Sequence, residues 1–202
     1  MRSLRSFAPP VVLNLIIVNC LVLMATNLLG FDFLYRYFAL WGVESPLFKL
    51  YQVVTYMFMH ANMSHLFFNM FSLWMFGRTL EQVMGQKRFL TYYMVCGIFA
   101  GLIQLAVSYA THSMAPTVGA SGSVFGLLLA FGVMFPNTII MLMIPPIPIK
   151  AKWFVMIYGV LELFLGVGGY QVGVAHFAHL GGMIGGYLLL MYWKYSNQRP
   201  RR

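Results

Sequence analysis

The chain has 202 residues, 60% of them hydrophobic and 8% charged, with 13 Lys and Arg set against four acidic residues for a net charge of +9. A soluble domain carries about a quarter charged residues, so this composition excludes a soluble enzyme or binding module and indicates an integral membrane protein. No aromatic-interleaved basic stripe is present; the positive charge reads as topology and contact with anionic lipid headgroups in the bilayer, with no nucleic-acid partner.

Six apolar spans are predicted, at about 11–29, 64–82, 89–110, 121–135, 153–167 and 174–193. The start, MRSLRSFAPP before Val11 to Leu29, has the basic lead and apolar run of a signal peptide. The run is long, contains Asn14 and Asn19 and lacks a clear small-x-small cleavage site, so it is read as a retained first span. The connection from Gly30 to Met63 is the longest and the richest in aromatics, which places it in the membrane interface. Pro136 closes the fourth span, although Thr138 to Ile144 is also apolar and could extend it. The link between spans five and six reads GVGGYQVG (166–173), whose glycines suggest mobility. Cys20 and Cys96 both fall inside apolar runs and say nothing of redox compartment. With no internal repeat, low-complexity tract or soluble appendage, residues 1–202 read as one all-α polytopic domain.

Basic residues set the orientation. Arg2, Arg5, Arg78, Lys87, Arg88, Lys150, Lys152, Lys194, Arg199, Arg201 and Arg202 all fall on one side of the six spans, and only Arg36 and Lys49 on the other. By the positive-inside rule both termini are cytoplasmic, and the expected location is a prokaryotic cytoplasmic membrane.

Polar groups within the spans are costly there and mark the candidate site. Ser121 opens the fourth span inside VGASGSVFG (118–126). From Ser121 to Phe135 the helix is about 22 Å long against roughly 30 Å of hydrocarbon, which sets the serine below the outer surface. His65 and Asn69, four apart, share one face of the second span, and His60 stands just before it. His176 and His179 open the sixth span, where Ala178, Gly182 and Gly186 form a small-residue stripe suited to close backbone packing. If span four is the partner, the glycines around Ser121 supply the other flat surface and His179 is delivered to Ser121. A neutral imidazole nitrogen there can take the serine proton. The N–H groups at the start of the Ser121 helix, the Asn69 amide and the His65 ring are then placed as oxyanion donors. Taken alone, Ser121 is packing material and the His65/Asn69 pair interhelical glue; the joint pattern is what points to chemistry.

At these residues the chain resembles the rhomboid intramembrane serine proteases, over nearly its whole length. The motifs are GASG (119–122), AHLGG (178–182) and HANMSHLFFN (60–69). The resemblance implies a six-helix membrane bundle and a Ser121–His179 catalytic dyad that needs no cofactor or metal. It further implies oxyanion stabilisation by His65 and Asn69, a structural role for His60, a transmembrane protein as substrate and a small residue before the scissile bond. Gly119, Gly122 and Gly182 support the dyad as parts of the motifs. Two departures stand out. Many rhomboids have a Trp-Arg pair in the first loop where this chain has Tyr51-Gln52, leaving open how that loop is anchored. Many also have a Tyr stacked on the catalytic imidazole, four residues after the nucleophile, where this chain has Phe125.

The remaining polar residues are assigned blander roles: His176 a loop or rim histidine, Glu162 a structural partner or cavity residue with a mechanistic role left open and the one carboxylate available within the membrane, His112 solvated in an outer loop. Two other readings stay open. The histidines could bind a metal in a transporter or oxidase, or the chain could be a rhomboid-like protein that binds membrane helices without cutting them.

Overall fold

The computed structural model describes residues 8–141, 146–168 and 175–198. It is built of helices: α1 (Pro10–Leu29), α2 (Phe31–Phe38), α3 (Gln52–Thr55), α4 (Met63–Ser72), α5 (Arg78–Met84), α6 (Gln86–Ala110), α7 (Ser121–Met134), α8 (Ala151–Gly168) and α9 (His176–Gln198). A short hairpin, β1 (Ile139–Met141) and β2 (Pro148–Lys150), joins α7 to α8. Within these residues each of the six predicted apolar stretches is helical except at Phe135 and Ala175, which lie just outside their helices. Three helices, α1, α6 and α8, are long and apolar enough to cross a membrane, and α7 is a shorter apolar helix.

The second stretch is a composite. A π-helical turn, Leu73–Gly77, joins α4 to α5, and a Cβ added at Gly77 would lie 3.1 Å from side chains of Leu73, Phe89 and Val12. The glycine thus lets α1 and α6 close on the turn. In α1, Asn19 and Thr26 bond back to the carbonyls of Leu15 and Val22, at 2.7 and 2.8 Å. This is how polar side chains are accommodated in an apolar helix. Pro10 opens α1 where its missing N–H costs nothing, and the free N–H groups of Val11 and Val12 are capped from another helix by the Glu81 carboxylate, at 3.0 and 2.8 Å. Glu81 is therefore a second buried carboxylate within the spans, beside Glu162. The negative group at the positive end of α1 has favourable dipole geometry as well as hydrogen bonds.

Apolar residues 139–141 do not prolong α7. They pair antiparallel with 148–150, Ile140 opposite Ile149, in a segment whose Pro145, Pro146 and Pro148 forbid a helix interior. Helix α7 therefore ends at Met134, a helix of 14 residues and about 21 Å.

Small residues bring α7 and α9 into backbone contact. A Cβ at Gly182 would fall on the Gly122 carbonyl, and one at Gly126 would stand 3.1 Å from the Gly182 oxygen. On its other small face α9 meets α6, where a Cβ at Gly181 would lie 2.8 Å from Ile103. Tyr92 of α6 donates its hydroxyl to the Gly126 carbonyl at 2.9 Å, and Ser123 of α7 donates to the Tyr93 carbonyl at 2.8 Å. These buried bonds fix the rotation of α7 between its two neighbours. Position 123 is thereby a structural serine, its hydroxyl committed away from the site.

Candidate active site

Ser121 is the first residue of α7, so its hydroxyl sits where backbone N–H groups lack intrahelical acceptors and the helix dipole is positive. The strand leading to it is tied down twice. Leu40 and Thr117 exchange backbone bonds of 2.9 Å, and the Gly119 N–H donates to the Tyr56 carbonyl at 2.9 Å. Gly119 has φ +126°, a conformation closed to side chains, and a Cβ there would lie 2.8 Å from the His65 ring and 3.7 Å from Ser121 Oγ. Only glycine lets His65 come that close to the serine.

His179 Nε2 stands 2.8 Å from Ser121 Oγ, although 58 positions separate the two residues. The Phe125 ring, one turn along α7 from Ser121, lies parallel on the imidazole with centroids 4.2 Å apart and planes 6° apart. The other ring nitrogen of His179, Nδ1, is 2.9 Å from Glu162 Oε2 on α8. The same carboxylate oxygen lies 2.6 Å from His176 Nδ1. His176 is thus no rim residue: it is 4% exposed, its side chain turned against Glu162 of α8. Glu162 is bound to both histidines, a partnership that periodicity in an all-apolar helix could not reveal.

Across the cavity, Asn62 caps α4 by accepting the His65 N–H at 2.8 Å. The Ala61 N–H points at His65 Nδ1, 3.4 Å away, which leaves the His65 proton on Nε2, facing Gly119. Asn69 gives one amide hydrogen to the His65 carbonyl at 2.9 Å and retains a second. His60 is fully buried with its ring edge-on to His65 at 5.1 Å. A cavity of about 540 Å³ is lined by Tyr35, His65, Asn69, Ser121, Phe125 and His179. The structure therefore gathers Ser121, His179, His65, Asn69 and Phe125 at one cavity, sets Gly119 against the His65 ring, places Gly122 and Gly182 at the α7–α9 contact, and sets His60 behind His65. Residues 169–173 of the glycine-rich link lie outside the described residues. His112 is exposed as expected and pairs with Glu44 at 3.1 Å.

Gln52, a residue not singled out for any role of its own, anchors the first loop. Completely buried, it accepts from the backbone N–H groups of Lys49 and Trp41 at 3.1 and 3.4 Å and donates to the carbonyls of Leu47 and Tyr37 at 3.0 and 3.1 Å. One amide thus ties four backbone groups of the loop together. Its signal in the sequence is the departure at Tyr51-Gln52 itself.

Residues 47–196 match the Rhomboid domain family. Among similar proteins, the chain is 31% identical to Rhomboid protein 1, mitochondrial, of Saccharomyces cerevisiae, over 72% of this chain and 42% of that one. It is 32% identical to YdcA of Bacillus subtilis, a candidate rhomboid protease, over 69% of this chain and 65% of that one. Presenilin-associated rhomboid-like protein A, mitochondrial, of Danio rerio is 28% identical over 67% and 35% of the two chains. The chain thus spans about two fifths of the length of the mitochondrial relatives and about two thirds of the bacterial one. With a family match over most of its length and apolar helices throughout, this membrane protein belongs to the rhomboid family.

Proposed function

We propose that the chain is an intramembrane serine endopeptidase that cuts a transmembrane protein substrate in the outer part of its membrane helix. The observation that carries this reading is the 2.8 Å contact between Ser121 Oγ and His179 Nε2 at the wall of a cavity. A serine hydroxyl is a weak nucleophile until a base takes its proton, and here the base is in hydrogen-bond reach. Ser121 Oγ attacks the scissile carbonyl while its proton passes to His179 Nε2. The resulting oxyanion faces the N–H groups at the start of α7, His65 Nε2–H and the spare Asn69 amide hydrogen. Collapse expels the leaving amine, which takes the proton from His179, and water activated by the same nitrogen then releases the acyl group.

The six helical stretches cross the membrane with both termini cytoplasmic on this reading, and the charge pattern supports it. Helices α4, α7 and α9 start at the cavity and run toward the basic positions Arg78, Lys150 and Lys194 respectively. The dyad then opens to the outer side. A substrate carbonyl in an intact helix is hydrogen-bonded and fenced by side chains, so only a segment weakened by Gly, Pro or Ser can unwind into the cavity. The bacterial relative, matched over more of its length than the mitochondrial ones, favours a prokaryotic cytoplasmic membrane.

Glu162, His176 and His179 are the residues among those described that could surround an ion; on the protease reading they are joined instead by hydrogen bonds of 2.6 and 2.9 Å. The test is cleavage in cells of a reporter transmembrane segment, with the cut mapped by mass spectrometry. Wild type should cut in the outer third and Ser121→Ala and His179→Ala should not; equal cutting by either variant, or a cytoplasmic-side cut, would refute the proposal.

A further inference from the structure

We infer that Glu162 is the third member of the catalytic group: a positioning residue whose carboxylate holds His179 in the tautomer and orientation that serve Ser121, with His176 holding the carboxylate in turn. The inference rests on the serine protease reading and deepens it, because a serine-histidine pair alone leaves Nδ1 of the base without a defined partner. Here that nitrogen is 2.9 Å from Glu162 Oε2, while Nε2 on the far side of the ring is 2.8 Å from Ser121 Oγ. Carboxylate, imidazole and hydroxyl are strung in one line from α8 through α9 to α7.

The geometry fixes where the protons lie. His176 Nδ1 and His179 Nδ1 approach the same carboxylate oxygen, at 2.6 and 2.9 Å. An ionised oxygen with two lone pairs accepts from two N–H groups, so each histidine carries its proton on Nδ1. Nε2 of His179 is then unprotonated and able to accept from Ser121. During attack the Ser121 proton moves to His179 Nε2, the Nδ1–H stays on the ring, and its bond to Glu162 becomes charge-assisted. Glu162 takes no proton; it stabilises the imidazolium and keeps the ring from turning. The leaving amine later removes the proton from Nε2.

Burial argues against an incidental surface contact. The side chains of Glu162, His176 and His179 are 9%, 5% and 11% exposed. A carboxylate at such depth is stable only with its hydrogen bonds made, and it draws both from the base and its neighbour. His176 is held at a cost, since its Nε2 is buried without a hydrogen-bond partner among the described residues. Packing alone would be better served by an apolar side chain. Its 2.6 Å bond orients the oxygen that His179 uses. The titratable groups facing His179 are thus Glu162 of α8, His176 of its own helix, and, across the cavity, His65 on α4 and Tyr35 on α2.

The experiment compares wild type, Glu162→Gln and His176→Ala, purified in detergent, for kcat and KM on a transmembrane peptide substrate across pH, together with thermal denaturation. Glu162→Gln should remain folded and lose about 10- to 1,000-fold in kcat with KM within about threefold, less than the about 10⁴-fold of soluble triads because the amide oxygen can still accept from Nδ1–H. His176→Ala should lose less. Full kcat in Glu162→Gln would overturn the inference, as would a loss traced only to unfolding or KM. Nitrogen-15 NMR of histidine-labelled wild type provides a check that needs no Glu162 variant: His179 should be Nδ1-protonated, and an Nε2-protonated ring would overturn the assignment. Inactive wild type would count against the protease reading, whereas active wild type with an indifferent Glu162→Gln would count against the third member alone.

Discussion

The Phe125 ring covers the face of the His179 imidazole at 4.2 Å with the two planes 6° apart. Such stacking contributes roughly 0.5 to 1.5 kcal/mol, and it blocks rotation of the base away from Ser121. Phe125→Tyr should therefore keep near wild-type cleavage, and Phe125→Ala should lose about 3- to 10-fold in kcat, as that energy implies. Equal turnover by the alanine variant would mean that the ring only fills space.

Removing an oxyanion donor should slow the chemistry without abolishing it. Asn69→Ala and His65→Ala are each expected to reduce kcat by on the order of 10- to 1,000-fold, with substrate affinity little changed. Single-turnover kinetics on the peptide substrate separates the two quantities. Undiminished single-turnover rates in both variants would shift the donor role to the backbone N–H groups of α7.

The contact between Gly182 and Gly122 makes the site sensitive to one methyl group. Gly182→Ala would place its Cβ on the Gly122 carbonyl, forcing α7 and α9 apart at a cost of about 1 to 3 kcal/mol, and should lower both the denaturation temperature and activity. Gly159→Ala is the control, since its nearest neighbour, Met183 Cε, would be at an ordinary 3.4 Å. Similar behaviour of the two variants in thermal denaturation would show that helix proximity is not what positions His179.

Gln52 is expected to govern the first loop. Gln52→Ala removes four part-buried hydrogen bonds made by a buried side chain and should destabilise the fold by about 2 to 6 kcal/mol, at roughly 0.5 to 1.5 kcal/mol for each bond lost. Thermal denaturation in detergent, with limited proteolysis of residues 39–59, measures it. An unchanged denaturation temperature with no new cleavage in the loop would place the anchor elsewhere.

What could be read from the chain, and what could not, follows from the range of the forces involved. Ser121, His179, His65 and Asn69 are legible because each lies within a compact motif and because polar residues in apolar helices are few. The stripe Ala178, Gly182 and Gly186 is legible because small residues at four-residue spacing form a flat face. Glu162 is different. Helix α8 is apolar nearly all round, so no periodicity states which face meets α9, and the bond to His179 depends on that rotation. The burial of His176 is hidden for the same reason, being set by α8 and not by its own neighbours in sequence. Glu81 reaches across 69 positions to cap α1, a pairing that carries no local signature. The hairpin after α7 was visible only as an ambiguity, since apolar content favours a longer helix and the prolines oppose it.

An activated nucleophile at Ser121 should react covalently with a fluorophosphonate. The detergent-solubilised protein is treated with the probe and digested, and the adduct is located by mass spectrometry, with Ser121→Ala and His179→Ala in parallel. The adduct should form on Ser121 in wild type, be absent in Ser121→Ala, and form at least about 100-fold more slowly in His179→Ala, because the alcohol then has no base. An adduct on another serine, or labelling of His179→Ala at the wild-type rate, would contradict the account.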